Sequence, residues 1–361
     1  MDNNSLEKIR KEIDILDREL AVLLQKRMDL VSQVADYKSK TKINILDSSR
    51  EAQVIENVLN VIKKTEYHES ISSVFEYIMT KSKEYQKNRL TNLGNRYALI
   101  GNKLSHSVSP QIHNLFFQKA KLNGVYELFE AEQTNLPGLL SKLKNYGYCG
   151  ANVTIPYKTD IINHLDNISD IAKRIGAVNT ITLKDELKGY NTDYVGFGRA
   201  LEYCGFNPRN KSCAVLGSGG ASRAVVSYLE DHGASDIVIV SRDPEGILMK
   251  YPGIRGIALE SFSADGVDII INTTPVGMYP ASDSSPLSKS QIKGATFVLD
   301  LIYNPEETLL LKYARENNIP CDNGLFMLVA QAVSAQEIWQ GKSYDQDIIR
   351  EIYAELRQKG S

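Results

Sequence analysis

A sequence of 361 residues has room for two or three domains with cores of their own. Its formal charge of −2, from 42 basic and 44 acidic side chains, excludes the strongly basic surface of a nucleic-acid or anionic-membrane binder, and no apolar run approaches the roughly 18 residues of a membrane helix. Cys149, Cys204, Cys213 and Cys321 are too scattered for a metal site or a disulfide framework, and the polar opening Met1–Glu12 does not read as a signal peptide, so the expectation is a cytoplasmic protein without metal, nucleic-acid or membrane partners.

The first 93 residues contain neither glycine nor proline; all 24 glycines and all 11 prolines follow. These residues end helices and make turns. The first segment therefore reads as nearly all helix and the rest as many short elements, joined near Leu93. Leu6, Ile9, Ile13, Leu16, Leu20 and Leu23 recur at steps of three and four, a heptad-like seam on one long helix. The same register places Arg27, Leu30 and Val34 next, with Lys38 four beyond. A cation on such a face either snorkels to the edge or pairs with a carboxylate, or it lines a buried anion site. Arg27 and Lys38 stand roughly 16 Å apart along a helix, so two long side chains can bracket one small anion. Arg10 is about 25 Å from Arg27 and reaches the same ligand only from another chain or a folded-back helix. Asp47 or Ser48 can cap a second helix, which carries Arg50 and Glu51. A third is expected from about Ser70 to Lys87, with Ser82 and Gln86 on one face.

This set of eight, Arg10, Arg27, Lys38, Asp47, Arg50, Glu51, Ser82 and Gln86, resembles the pocket of the all-helical chorismate mutase family in type and order. The resemblance implies a homodimer in which Arg10 comes from the partner, Arg10 and Arg27 holding the two carboxylates of chorismate. It also implies Lys38 and Gln86 donating to the ether oxygen and Glu51 holding the ring hydroxyl, with Asp47, Arg50 and Ser82 lining the pocket. A guanidinium meets a carboxylate in a fork. The rearrangement to prephenate needs no acid or base, only a compact conformer and stabilised charge on the breaking bond.

Beyond residue 95, Arg96–Gly101 reads as a strand entering the loop Asn102–Pro110, and a helix starts near Pro110. Ser105, Ser107 and Ser109 read by default as loop and cap residues. Gly150–Lys158 is a strand ending in a proline corner with Lys158 just past it, followed by Gly176–Thr180 and Gly189–Asp193. A lone lysine or aspartate there is ordinarily a solvated loop charge; several polar strand ends in one α/β unit make a pocket. A buried strand then runs into Gly217, Ser218, Gly219, Gly220 and Ala221 and a helix from about Ser222 to Asp231, a variant dinucleotide fingerprint suited to a pyrophosphate. The strand Asp236–Arg242 ends where a residue contacting the adenosine ribose belongs. Ser241, Arg242 and Asp243 stand there. The arginine favours a 2′-phosphate and hence NADP; the aspartate opposes it, which leaves NAD or dual use open. Ile269–Met278 and Val298–Tyr303 read as strand ends on the nicotinamide side, with Thr273 and Leu301 as cofactor contacts. Asn323–Gln331 opens a long apolar helix packing back on the first subdomain.

In this order the motifs resemble shikimate dehydrogenase. The resemblance implies that Ser107 and Ser109 bind the substrate carboxylate, that Thr154, Asn179, Tyr303 and Gln331 contact substrate, and that Gly324 meets the nicotinamide through its backbone. Lys158 and Asp193 become the catalytic pair for reversible reduction of 3-dehydroshikimate to shikimate, and the two serines point to shikimate rather than quinate. Many NADP-using relatives carry Asn-Arg-Thr and a second arginine four residues later; here the run is Ser241, Arg242, Asp243, with Gly246 at the later position. The expected fold is an all-α chorismate mutase domain (1–90) followed by an α/β shikimate dehydrogenase. The latter would comprise a substrate subdomain (95–195), a Rossmann NADP-binding subdomain (196–325) and C-terminal helices (326–361). The expected function is both enzymes on one chain. One alternative reduces the helical segment to a degenerate dimerisation or effector-binding module. Another makes the larger segment a dinucleotide-dependent regulator, and the presence of both Lys158 and Asp193 argues against it.

Overall fold

The computed structural model describes residues 3–41, 48–90 and 95–360, with side chains over 6–34, 53–85 and 95–358. The chain divides into two compact units, Met1–Gly94 and Asn95–Ser361, so the break falls at the first glycine.

Without helix breakers, the first unit forms α1 (Asn3–Thr41), α2 (Ser48–Asn60) and α3 (His68–Leu90), with α3 packed on both others. α3 begins two residues before the expected Ser70, because a 3₁₀ turn at Thr65–Tyr67 leads into it and the His68 ring bonds the Ile62 carbonyl at 3.1 Å. The α1 seam is not packed inside the unit. Leu6, Ile9, Ile13, Leu16, Leu20, Leu23, Leu30 and Val34 are all exposed, from 43 to 61%. A straight helix drifts against a seven-residue repeat. The half-buried side chains of α1 are instead Leu24, Arg27, Met28, Val31 and Ser32. Among the described side chains of this unit only Met79 and Ser82 are buried.

The second unit holds two sheets. The first is built from β1 (Asn95–Gly101), α4 (Ser109–Lys119), β2 (Gly124–Glu130), α5 (Leu136–Asn145), β3 (Tyr148–Val153), β4 (Asn167–Ile168), α6 (Asp170–Ile175), β5 (Thr180–Thr182) and β6 (Lys188–Tyr190). Its order is β2-β1-β3-β5-β6-β4, parallel through β2, β1 and β3 and antiparallel on either side of β5. Ser169 caps α6 by accepting from the Ala172 amide, and Gly176 ends it in the left-handed region at φ 68°. A positive φ of this kind is where glycine is at no disadvantage.

α7 (Thr192–Tyr203) leads out of the first sheet and runs unbroken through residue 195. The second sheet follows: β7 (Ser212–Leu216), α8 (Gly220–Asp231), β8 (Asp236–Ser241), α9 (Ile247–Lys250), β9 (Arg255–Ala258), β10 (Ile269–Asn272), β11 (Phe297–Asp300), α10 (Leu309–Glu316) and β12 (Cys321–Asn323). The order β9-β8-β7-β10-β11-β12 is parallel throughout. This is the doubly wound dinucleotide-binding order, with its crevice where the order reverses between β7 and β10. α8 starts at Gly220, two residues before the expected Ser222, because the glycines continue into its first turn.

The chain closes with α11 (Leu325–Gln340) and α12 (Gln346–Gly360). α11 is buried along most of its length and packs on α7, where a Cβ at Gly196 would lie 2.8 Å from the Gln331 Cβ. Its far end reaches the first sheet: Trp339 donates its indole N–H to the Ile181 carbonyl at 2.9 Å and covers Gly150, where a Cβ would come within 2.1 Å of the indole nitrogen. α11 therefore ties the last strand of the second sheet to the middle of the first.

Candidate active site

The strand ends of the first sheet bring together several polar side chains singled out in the sequence. Past β3 the backbone turns at a cis Ile155–Pro156 bond, and Lys158 follows. Its ammonium donates to Asp193 Oδ2 at 2.6 Å, and both side chains are largely withdrawn from solvent. Asp193 lies in the first turn of α7, which Asn191 caps by accepting from the Tyr194 amide. Asn179 Nδ2 donates to the other carboxylate oxygen at 2.9 Å. Asn179 is itself oriented because its Oδ1 accepts from the Thr192 amide at 2.7 Å. The carboxylate is thus held on both oxygens, and the lysine is aimed by it. Buried polar groups in so closed a set fix one another's geometry.

Gln331 sits on α11 against this cluster, its Oε1 3.5 Å from the Thr192 hydroxyl, with Nε2 donating to the Leu328 carbonyl at 2.8 Å. The Thr154 amide donates to the Ile100 carbonyl at 2.9 Å, which places that side chain at the β1 and β3 ends. Ser107 Oγ accepts from the Ser109 amide at 3.3 Å, so the loop-and-cap reading of this serine also describes its geometry. Ser109 begins α4 and lies against the Tyr126 hydroxyl, which donates to Asn152 Oδ1 at 2.8 Å. Thr192, Tyr126 and Asn152 were not among the candidates. Asn152 sits inside the Gly150–Lys158 run; a tyrosine in an alternating strand carries no local signal.

In the second sheet, Gly217 adopts φ 96°, and its amide donates to the Val240 carbonyl at 2.9 Å. A Cβ there would lie 2.7 Å from Thr274 Cγ2. At Gly219 and Gly220 a Cβ would meet no atom within 4 Å, and no side chain caps α8. An open, uncapped helix N-terminus beside Ser218 and Ala221 suits a dinucleotide pyrophosphate. Thr273 is turned into the fold, donating its hydroxyl to the Leu216 carbonyl at 2.7 Å. Gly324 packs so tightly on Leu301 that a Cβ would stand 2.0 Å from its carbonyl oxygen. Gln331 follows Gly324 by seven residues, about 10 Å along α11.

At the end of β8, Arg242 is exposed and makes no ion pair among the described residues. Asp243 is occupied: its Oδ1 accepts from the Gly246 amide at 3.1 Å, while its own amide donates to Ser241 Oγ at 3.2 Å. A Cβ at Gly246 would collide with that carboxylate, 2.3 Å from Oδ2. Asp243 therefore closes a turn with its carboxylate.

In the sequence Asp300 is one more residue of an apolar strand; in the fold it is fully buried at the end of β11. It accepts from Asn272 Nδ2 at 2.9 Å, the Ile302 amide at 3.0 Å and the Thr308 hydroxyl at 2.7 Å, which ties the Thr273 and Tyr303 loops to the cap of α10. Burial pushes its carboxyl up to about 6, and burial also raises the Tyr303 phenol. A folded value above the unfolded one means the native state holds this proton more tightly, so stability is lost as pH rises through about 4 to 6. Relative to Asp300→Asn, the unmutated protein should therefore gain on the order of 2 kcal/mol between neutral pH and pH 4. Paired denaturant titrations at the two pH values measure it; a constant difference would mean Asp300 titrates normally.

In the helical unit Arg27 reaches across from α1 and donates to Ser82 Oγ on α3. The serine hydroxyl also bonds the Ile78 carbonyl at 2.7 Å. Burial lowers the Arg27 pKa, and no carboxylate pairs with it among the described residues. Arg10 is exposed on α1, far along the helix from that pair. Lys38, Asp47, Arg50, Glu51 and Gln86 lie outside the described side chains. Among the described residues no His, Cys, Asp or Glu cluster is arranged to hold a metal, and no helix is long and apolar enough to cross a membrane.

Together the strand order, the glycine cradle and the Lys158–Asp193 pair define a two-sheet, dinucleotide-binding protein of the dehydrogenase class. The family model of the shikimate dehydrogenase substrate binding domain matches residues 99–181, and that of chorismate mutase type II matches residues 9–87. A shikimate dehydrogenase (NADP(+)) from Clostridium beijerinckii is 47% identical over 260 residues, covering 72% of this chain and 96% of that protein. The crystal structure of a chorismate mutase/shikimate 5-dehydrogenase fusion protein from Clostridium acetobutylicum superposes with a TM-score of 0.72 at 45% identity, over 74% of this chain and 98% of that one. A Thermus thermophilus shikimate 5-dehydrogenase in complex with NADP(H) and shikimate gives 0.67 at 32% identity, over 72% and 99%. The chain belongs to the shikimate dehydrogenase family and carries a type II chorismate mutase domain ahead of it.

Proposed function

We propose that the chain is a bifunctional enzyme, rearranging chorismate to prephenate in its helical unit and reversibly reducing 3-dehydroshikimate to shikimate with NADP in its α/β unit. The observation that carries the second activity is the Lys158–Asp193 pair, held by Asn179. The Gly217–Ala221 loop, with Arg242 and Gly324, would hold the dinucleotide, which supplies the hydride when bound. Ser107, Ser109, Thr154, Asn179, Tyr303 and Gln331 orient the substrate ring. Lys158 gives its proton to the forming alkoxide oxygen in reduction and takes it back in oxidation, the role of a positioned general acid–base. Asp193 aims the ammonium, and an opposite charge nearby favours the charged form.

In the helical unit Arg27 and Ser82 form one wall of the mutase pocket. The second wall comes from Arg10 of another copy. A homodimer is supported by the exposed α1 seam, since a unit that buries two described side chains has too little core of its own. A cytoplasmic location fits the reduced thiols of the four free cysteines.

Steady-state assays of both reactions on the whole chain test the proposal. Shikimate oxidation without chorismate turnover would leave the helical unit as a dimerisation or effector-binding module; turnover of neither would refute the reading. Cofactor choice follows from Arg242. With Asp243 engaged in its turn, the arginine is free to meet a 2′-phosphate, so kcat/KM should be higher for NADP than for NAD. A charge-assisted contact of this kind corresponds to about 10- to 100-fold, and Arg242→Ala should remove most of it. Equal use of NAD by the unmutated protein would overturn the assignment.

A further inference from the structure

His113 lies on the helix that begins with Ser109, one turn further on, and is 1% exposed. It stacks on Tyr126 with centroids 3.9 Å apart and an interplanar angle of 11°. Gln336 of α11, also fully buried, bonds its Nδ1 at 2.9 Å. Its Nε2 is buried, faces Asn152 and has no well-formed partner. Asn152 in turn donates to the Asn179 carbonyl at 3.1 Å and to Thr180 Oγ1 at 3.0 Å. Asn179 is the residue that fixes Asp193, and through it Lys158. One imidazole thus stands between the helix carrying the serines and the strand ends carrying the proton-transfer pair.

We infer that His113 is a positioning residue for the substrate carboxylate, a neutral ring that sets α4 against β3 and α11 and so fixes the distance from Ser107 and Ser109 to Lys158. The ring touches neither substrate nor cofactor and acts through Tyr126 and Asn152. Burial pushes it down to about 3, so it stays neutral throughout the working range. A neutral ring accepts at one nitrogen and donates at the other; Gln336 as donor to Nδ1 leaves the proton on Nε2, toward Asn152. The bond from Gln336 and the stack on Tyr126 explain a polar ring in an otherwise aromatic cluster with Phe117 and Trp339.

The inference rests on the shikimate dehydrogenase reading. His113→Phe keeps the stack on Tyr126 and removes the hydrogen bond from Gln336, together with the ring N–H that faces Asn152. An unsatisfied buried partner corresponds to roughly ten- to a hundredfold. We expect the KM for shikimate to rise by about tenfold or more, with kcat much less affected and the NADP dissociation constant unchanged. The double variant His113→Phe with Gln336→Met removes the stranded donor as well, so it should recover thermal stability while shikimate KM stays high. Recovery of KM together with stability would mean that His113 serves the fold alone. An unchanged KM in a folded His113→Phe protein would equally overturn the inference. Should His113→Phe not fold, Gln336→Met alone makes the test, and a KM within twofold of the unmutated protein sinks it. Absence of shikimate turnover in the unmutated protein would instead defeat the functional reading itself.

Discussion

Replacing Lys158 by alanine should lower kcat for shikimate oxidation by about 10²–10⁴-fold, the usual contribution of a positioned general acid–base group. Cofactor binding should survive, because Lys158 belongs to the first sheet and the glycine cradle to the second. The lysine is placed by three successive constraints: the corner after β3, the 2.6 Å contact with Asp193, and the Asn179 amide on the carboxylate's other oxygen. Its removal deletes a group needed in the transition state more than in the ground state, so kcat should fall more than KM rises. Asp193→Asn should also slow the reaction, since the ammonium loses the charge that aims it. Single-turnover hydride transfer is the decisive measurement. A rate for Lys158→Ala within about threefold of the unmutated enzyme, far inside the expected range, would show that the proton comes from elsewhere.

Arg27→Ala should abolish chorismate turnover, by about 10²–10³-fold if the guanidinium acts as one preorganised donor to developing charge, while shikimate oxidation stays near its original rate. Two observations support the separation: Arg27 reaches its pocket through Ser82 within the helical unit, and the chain divides at Gly94. A collapse of both activities in a folded variant would contradict it. The same residue tests the shared site. In a twofold dimer, mixing Arg10→Ala and Arg27→Ala chains makes half the dimers hybrids, each with one intact site. Roughly a quarter of the unmutated mutase activity should return after subunit exchange. None would return if each chain builds its site alone.

The features legible in the sequence were those that local chemistry encodes. Absence of glycine and proline marked the helical unit to within a residue of the observed division. The run Gly217, Gly219, Gly220 announced a strand-to-helix turn, and at Gly217 a positive φ with Thr274 close by leaves no room for a side chain; Lys158 stood out because a proline corner preceded it. Less legible was whatever depends on residues distant in sequence. Tyr126, Asn152, His113 and Gln336 span more than two hundred positions, and a single polar residue in an apolar strand or helix has no periodic signature. Asp300 read as one more strand residue, and only three converging donors reveal it as the knot between two loops. Asp243 read as a threat to a bound phosphate, while the fold spends its carboxylate on Gly246. The α1 seam was legible as a pattern but not as to what covers it, because periodicity reports that a face is apolar and not whose surface meets it.

If a second copy packs on that seam, as proposed, the two activities should answer differently to the amount of protein present. The α/β unit finds its buried core within one chain, whereas the helical unit's apolar face is left bare along most of α1. A site completed by a second copy obeys mass action. In the proposed dimer, prephenate formation per chain should therefore decline on dilution while shikimate oxidation per chain holds, so the cell's stock of this one polypeptide would set the ratio of two metabolic steps as well as their rates.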